Sequence, residues 1–380
     1  MQGIFLSVRS SKLSQYSPHP CGVRALTTAF INAIGTAVPE HDVHDAFIDW
    51  ATARVEEPRS RAVFARMAER SGIRHRWSVL PQAEGGGSPV EPGGFYQGAL
   101  PGTGARMAVY AEAAPRLALK AVADLGQTVD LAGITHLVVA SCTGFVAPGI
   151  DQIIAAELGL SGDVERTLVG FMGCYAAVSS LRLAHHIVRS RPEARVLVVT
   201  VELSTLHLQD ERRLEPLLAM LQFGDGATAS LVTADAQGFG MADPFAATLP
   251  DSAELIRWHV GDHGFAMTLS GEVPGRIAEA LRDQGFRERL LAGADAGEID
   301  SWAVHAGGRS VLDAVEHGLA LPQGALAESR DVLARFGNMS SSTLPFVLAE
   351  QLQRPERRRG VALAFGPGLA AEGFHFRRAA

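Results

Sequence analysis

Three residues far apart in the chain carry groups suited to nucleophilic and acid–base chemistry, and each stands where a strand or loop gives way to a helix. Cys174 lies in LVGFMGCYAAVSSLRLAHH. Gly170 and Gly173 allow a tight turn there, which puts the thiol at the first turn of a mostly apolar helix. A helix N-terminus favours a thiolate through its dipole and free N–H groups, so a nucleophile is one reading. A buried structural cysteine is the other. His305 closes the apolar strand of SWAVHAGGRSVLDAVE, with two glycines clearing space beside it. That setting suits a base or an ion-pair partner, and equally a satisfied core histidine. Asn338, in RFGNMSSSTLPFVLAE, precedes a serine-rich helix start, where a capping or turn asparagine is the plainer alternative.

The elements that must position these residues alternate. AFINAIGTAVPEHDV, from Ala29, reads as a strand running into a proline turn, followed by one helical stretch over about 42–70. The Gly/Pro-rich segment AEGGGSPVEPGGFYQGALPGTG reads as a surface loop. Beyond it THLVVASC, VLVVTVEL and ATASLVTA are buried strands, and GIDQIIAAELGL and CYAAVSSLRLAHHIVRS are helices. Continuous β-branched runs between helices imply an α/β protein with its sheet covered on both faces. SWAVHAGG, FVLAEQL and GVALAFGPG repeat the theme toward the C-terminus.

At 380 residues and 47% hydrophobic the chain builds a sizeable core, as one large domain or two fused halves. The balance is mildly acidic, with 34 Lys+Arg against 41 Asp+Glu, and the only lysines are Lys12 and Lys120. Nucleic-acid binding would need a basic stripe and is not expected. No apolar run reaches the ~18 residues of a membrane span. Cys21, Cys142 and Cys174 are odd in number and irregular in spacing, which disfavours a disulfide scaffold or zinc site and suits a reducing, cytoplasmic setting. The first 39 residues hold no acid. They resemble a transit peptide faintly, and residues 1–28 are read instead as a disordered extension. A lone Gly102-x-Gly104, the adjacent His185 and His186, and His41 with His44 support neither a dinucleotide nor a metal site.

Taken together, the segments around Cys174, His305 and Asn338 resemble the nucleophile, histidine and asparagine segments of chalcone and stilbene synthase-like enzymes, in the right chain order. LQFGDGATASLV is similar to that family's FGDGA segment and AFGPGLAAEG to its C-terminal GFGPG loop, with Ala364 replacing the first glycine. The resemblance spans about 29–378 and identifies a type III polyketide synthase of bacterial type. It implies a thiolase-like fold: two similar α/β halves in five layers, α-β-α-β-α, with 29–235 supplying the cysteine and 236–380 the histidine and asparagine. It also implies a homodimer that takes malonyl-CoA and an acyl-CoA starter and needs no cofactor or metal. In the mechanism so implied, a Cys174 thiolate paired with a His305 imidazolium is acylated, and His305 with Asn338 stabilises the malonyl-derived enolate.

By the same resemblance Phe223 is the gatekeeper between CoA tunnel and cavity, and Met267 stands where relatives have a second gatekeeper phenylalanine. Trp258 falls where plant enzymes have glycine. Cys142, Thr143, Ser204 and His207 align with cavity positions, Ser340 follows Asn338 in the same segment, and Gly366, Pro367 and Gly368 shape the cavity wall. Ala147 replaces a methionine that in relatives reaches into the partner's cavity. Arg59, Arg61 and Arg66 are the candidates for CoA, against a solvated helix face as the plain alternative. These departures disfavour plant flavonoid chemistry and favour a small pyrone or resorcinol-like product. The alternatives are a β-ketoacyl-acyl-carrier-protein synthase III and, in another class, a non-catalytic thiolase-fold partner subunit.

Overall fold

The computed structural model describes residues 27–83 and 85–380; Cys21 and nearly all of the expected extension over 1–28 lie outside them. The strands are β1 (Phe30–Ala37), β2 (His41–Asp42), β3 (Trp77–Ser78), β4 (His136–Ser141), β5 (Glu165–Gly170), β6 (Val196–Leu203), β7 (Asp225–Thr233), β8 (Phe239–Thr248), β9 (Ile256–Gly261), β10 (Gly264–Leu269), β11 (Ser301–Val304), β12 (Arg359–Gly366) and β13 (Ala370–Arg378). The helices are α1 (His44–Arg54), α2 (Pro58–Arg70), α3 (Thr103–Leu125), α4 (Ile150–Glu157), α5 (Ala176–Ser190), α6 (Leu214–Met220), α7 (Val273–Ala280), α8 (Gln284–Leu291), α9 (Arg309–Gly318), α10 (Ala327–Phe336) and α11 (Thr343–Leu352). The single helix expected over 42–70 is therefore two. Pro58 explains the break: it has no N–H to donate to a preceding turn, and it opens α2 instead.

Nine strands form one sheet in the order β11-β12-β13-β8-β1-β7-β6-β4-β5. Two half-sheets meet in it edge to edge, and their seam is short: β1 pairs with β8 only through Phe30–Gly240 and Ile31–Phe239. Period-2 alternation then sorts the side chains into layers. Along β6, Leu197, Val199 and Val201 join the outer core with Leu117, Ala121 and Leu125 of α3. Val196 and Val198 point the other way, into a central core with Val178, Leu181 and Val188 of α5 and Leu344, Val347 and Leu348 of α11. On β12, Ala362 and Ala364 face that same central core, whereas Val361, Leu363 and Phe365 face a third core with Ile277, Leu312 and Val315 of α7 and α9. The outcome is the five-layer thiolase-like fold, with α5 and α11 as its middle layer; α5 touches β4, β6 and β7 on one side and β12 and β13 on the other.

Close packing of α3 depends on one missing side chain. A Cβ on Gly35 of β1 would stand 2.2 Å from the Leu125 nitrogen, so only glycine lets the helix lie this near the strand.

Candidate active site

The two middle-layer helices begin side by side, and the catalytic candidates lie just before their first turns. Cys174 is two residues ahead of α5, and Asn338 and Ser340 precede α11 through a 3-10 turn, Ser340–Ser342, that touches α5. Gly173 reaches φ +80 to turn β5 into α5, and its amide donates to the Cys142 sulfur at 2.9 Å. Two helix N-termini thus point their partial positive charge at one spot, as a nucleophilic sulfur requires.

Asn338 is fixed by its backbone and its side chain. Its amide donates to the Gln222 carbonyl at 2.8 Å, and its own carbonyl accepts from Gly224 at 3.0 Å, so Phe223 is clamped beside it. The side chain donates through Nδ2 to the Gly307 carbonyl at 3.2 Å, and Oδ1 accepts from the Ser340 amide at 2.9 Å. Gly307 belongs to the loop that His305 begins at the end of β11; a Cβ there would meet the His305 ring at 3.4 Å. Both His305 ring nitrogens are buried and have no hydrogen-bond partner among the described residues. The asparagine therefore links the histidine loop to the cysteine turn.

Burial opposes the charged state of both members of the expected cysteine–histidine pair. Burial pushes the Cys174 thiol up to about 12, while Ser340 and Asn338 beside the sulfur act in the opposite direction. Burial also takes His305 down to about 3. Burial therefore works against the charged form of both residues, because each charge would lose hydration.

The neighbouring cavity, about 490 Å³, has Phe223, Met267, Trp258, Ser204 and His207 among its lining residues. His207 is a packed wall rather than a free base. It stacks on Phe265 at 4.2 Å, one ring nitrogen lies 2.8 Å from the Thr143 carbonyl, and the other accepts from the Phe265 amide at 3.1 Å.

Other expected cavity residues lie elsewhere. Cys142 and Thr143 do not line the cavity; they are buried behind the cysteine turn and held by Glu202, whose Oε2 accepts from the Cys142 amide at 2.9 Å and the Thr143 hydroxyl at 3.0 Å. Gly366, Pro367 and Gly368 also stand outside the cavity wall. Gly366 and Pro367 pack on the cysteine turn, where a Cβ on Gly366 would come 3.3 Å from the Cys174 nitrogen, whereas the Gly368 carbonyl accepts from the Ser252 hydroxyl at 3.1 Å. Arg59, Arg61 and Arg66 are exposed along α2 and line no part of the cavity.

Two buried charges were not anticipated. Glu202, fully buried, also accepts from the Ser341 hydroxyl, and burial raises its carboxyl to about 7. An acid inside the otherwise apolar VLVVTVEL was the signal for it. Arg76, also buried, donates to the carbonyls of Met220 at 3.1 Å and Phe223 at 2.9 Å, holding the gate segment in place.

The family models for the N-terminal and C-terminal domains of chalcone and stilbene synthases match residues 19–236 and 243–379. The chain belongs to the chalcone and stilbene synthase family. Among relatives of this type III polyketide synthase family member, an alpha-pyrone synthesis polyketide synthase-like protein of Mycobacterium tuberculosis is 36% identical over 64% of this chain, a match spanning 65% of that relative's own length. Bisdemethoxycurcumin synthase of Oryza sativa is 33% identical over 92% of each chain. The crystal structure of PKS-I from the brown alga Ectocarpus siliculosus superposes with a TM-score of 0.82 at 27% identity, covering 94% of this chain and all of that one. The C-terminal type III polyketide synthase domain of Steely1 from Dictyostelium shares the fold, with a TM-score of 0.83 at 24% identity over 93% of this chain and all of that one.

Proposed function

We propose that this family member is an iterative condensing acyltransferase, which extends an acyl-CoA starter with malonyl-CoA through an acyl-Cys174 intermediate and cyclises the chain to a small pyrone or phenolic product. The observation that carries this reading is the meeting of Cys174 with Asn338 and Ser340 at the paired starts of α5 and α11, with Asn338 tied to the His305 loop. As the Cys174 sulfur attacks the starter thioester, its proton passes to the neutral His305 imidazole and then to the departing CoA thiolate. Malonyl-CoA follows. The second N–H of Asn338 Nδ2 and the His305 ring donate to its thioester carbonyl, which stabilises the enolate left by departing carbon dioxide. The enolate carbon attacks the acyl-cysteine carbonyl, releasing the sulfur and lengthening the chain by two carbons. Decarboxylation supplies the carbon nucleophile, so these steps require no metal or redox cofactor.

Arg59, Arg61 and Arg66 offer exposed guanidinium groups to the CoA phosphates from α2, and none of the three is ion-paired among the described residues. The boundary between halves at 235/236 is supported by the turn between β7, which ends at Thr233, and β8, which begins at Phe239. The homodimer is supported by β5, which ends the nine-stranded sheet with one edge bare, Leu168 and Phe145 exposed beside it. No helix among the described residues is long and apolar enough to cross a membrane, and the free thiols Cys142 and Cys174 suit a reducing, cytoplasmic compartment.

Product mass spectrometry tests the reading. Purified protein is incubated with malonyl-CoA, alone and with a panel of acyl-CoA starters, beside Cys174→Ala. The expected result is polyketide masses that the variant does not form. Condensation only with malonyl-carrier protein, and none with CoA pairs, would overturn it in favour of a fatty-acid-type synthase.

A further inference from the structure

Strands β9 and β10 stand apart from the nine-stranded sheet as a hairpin of their own, and neither outer edge pairs with a further strand among the described residues. Alternation gives the hairpin two faces. Trp258, Phe265, Met267 and Leu269 line the cavity, whereas Arg257 and His259 are exposed on the other side. A lone hairpin is marginally stable, so its closed position depends on what holds its two ends. The base belongs to the C-terminal half. Ile256 is buried in the core that α7 and α9 share, and the Ser270 amide donates to the Leu255 carbonyl at 2.9 Å. The tip is fastened to the N-terminal half, so the hairpin crosses the cavity from one half of the fold to the other.

That fastening is concentrated on Thr103, the first residue of α3. Its amide donates to the Asp262 carbonyl at 2.7 Å, and its hydroxyl donates to the Gly261 carbonyl and accepts from the Gly264 amide at 2.9 Å. Gln209 adds one bond, from Nε2 to the His263 carbonyl at 3.0 Å. The seat beneath the tip is rigid. Gly264, at φ +87, lets the chain drop against Arg106, where a Cβ would meet Nη1 at 2.8 Å. Arg106 is buried and donates to the carbonyls of Pro101, Leu206 and Leu208. The tip itself is wet, with Asp262 and His263 exposed. Water can take over the hydrogen bonds there at small net cost, and segments held in this way are the ones that open locally.

We propose that the β9–β10 hairpin is a strap that Thr103 keeps closed over the cavity, and that its release opens the path by which a cyclised product leaves. The exit role rests on the condensing-enzyme reading of Cys174; the opening itself does not.

Hydrogen exchange tests the opening without any substrate. Thr103→Val keeps the shape of the side chain and removes both hydroxyl bonds, so the amides of 256–269 should exchange about tenfold faster while those of β6 stay as they are. Thr103→Ser keeps the hydroxyl and should exchange like the wild type. A hairpin unaffected by Thr103→Val, or loosened equally by Thr103→Ser, would overturn the proposal.

The exit is tested by combining Gly102→Cys with Asp262→Cys. A Cβ on Gly102 would lie 3.4 Å from the Asp262 carbonyl oxygen, which puts the two positions within reach of a disulfide. The oxidised protein should acylate Cys174 in a single turnover as fast as the reduced one. In steady state it should form product at least about tenfold more slowly, since release is then blocked, and native mass spectrometry should find product retained. Equal steady-state rates in the two forms would overturn the proposal. Acylation slowed as much as turnover would make the strap an entrance and overturn it as well. No product from either form would instead overturn the condensing reading, while the exchange comparison still judges the strap.

Discussion

Gly170 and Gly173 flank the turn into the nucleophile segment alike in sequence, yet replacing each by alanine should have opposite outcomes. At Gly173 the backbone has φ +80, and an added Cβ would stand 2.3 Å from Cδ and 2.5 Å from Cγ of Pro367. The left-handed backbone costs about 1–2 kcal/mol for a residue with a Cβ. Normal carbon contacts lie near 3.5–4.0 Å, so the rigid proline ring must retreat by more than about 1 Å, an overpacking penalty of about 1–3 kcal/mol. Gly173→Ala should therefore lose about 3 kcal/mol. Because Gly173 adjoins Cys174 and anchors the turn on the Cys142 sulfur, the thiol should be displaced, slowing acylation on the order of 100-fold. At Gly170 nothing in the protomer lies within 4 Å of the added Cβ among the described residues, so Gly170→Ala should cost the protomer fold less than about 0.5 kcal/mol and leave the cysteine turn in place. Urea unfolding and single-turnover acyl transfer measure both effects. A Gly173→Ala protein of wild-type stability and acylation rate would refute the reasoning.

Trp258→Gly removes the largest ring lining the cavity and should shift the product mass upward by at least one two-carbon unit, read by liquid chromatography–mass spectrometry; an unchanged product spectrum would count against Trp258 as a limit on chain length. Burial raises the Glu202 carboxyl to about 7 in the folded state, above its ordinary value of 4.5. The unfolded chain therefore releases that proton first, and Glu202 makes stability fall as pH rises from about 4.5 to about 7, by about 3 kcal/mol in all. Glu202→Gln should flatten that part of the urea-midpoint profile; parallel profiles would contradict a protonated Glu202. Arg76→Met strands the carbonyls of Met220 and Phe223 and leaves Asp225 without its cation, which should cost about 3 kcal/mol or more in the same assay. A loss below about 1 kcal/mol would mean the gate segment does not depend on Arg76.

Much of this architecture was legible because strands buried on both faces leave an unmistakable pattern. THLVVASC, VLVVTVEL and GVALAFGPG became β4, β6 and β12, apolar on both faces since helices cover both. Strand β5 went unnoticed for the opposite reason: five of its six residues are exposed at the sheet's edge, so no apolar periodicity marks it. The β9–β10 hairpin was missed likewise, with His259 and Val260 facing solvent. The motifs around Cys174, His305 and Asn338 could be read because glycines and serines crowd them. Their protonation could not, since burial is a property of the assembled layers. Alignment could not separate Cys142 and Thr143, behind the site, from Ser204 and His207, in the cavity wall. All four follow apolar strand residues, and only the packing of Glu202 between the strands divides them.

The middle layer also governs how the protein comes apart. Helices α5 and α11 share one core, and residues of both half-sheets complete it, so neither half owns the inner face of its own sheet. Expressed as separate fragments, each half would present bare valines and phenylalanines where its neighbour's helix should lie, an invitation to aggregate rather than fold. The two lobes should accordingly melt as a single cooperative unit in calorimetry, and cutting the chain between Thr233 and Phe239 should be tolerated only when both pieces are present together.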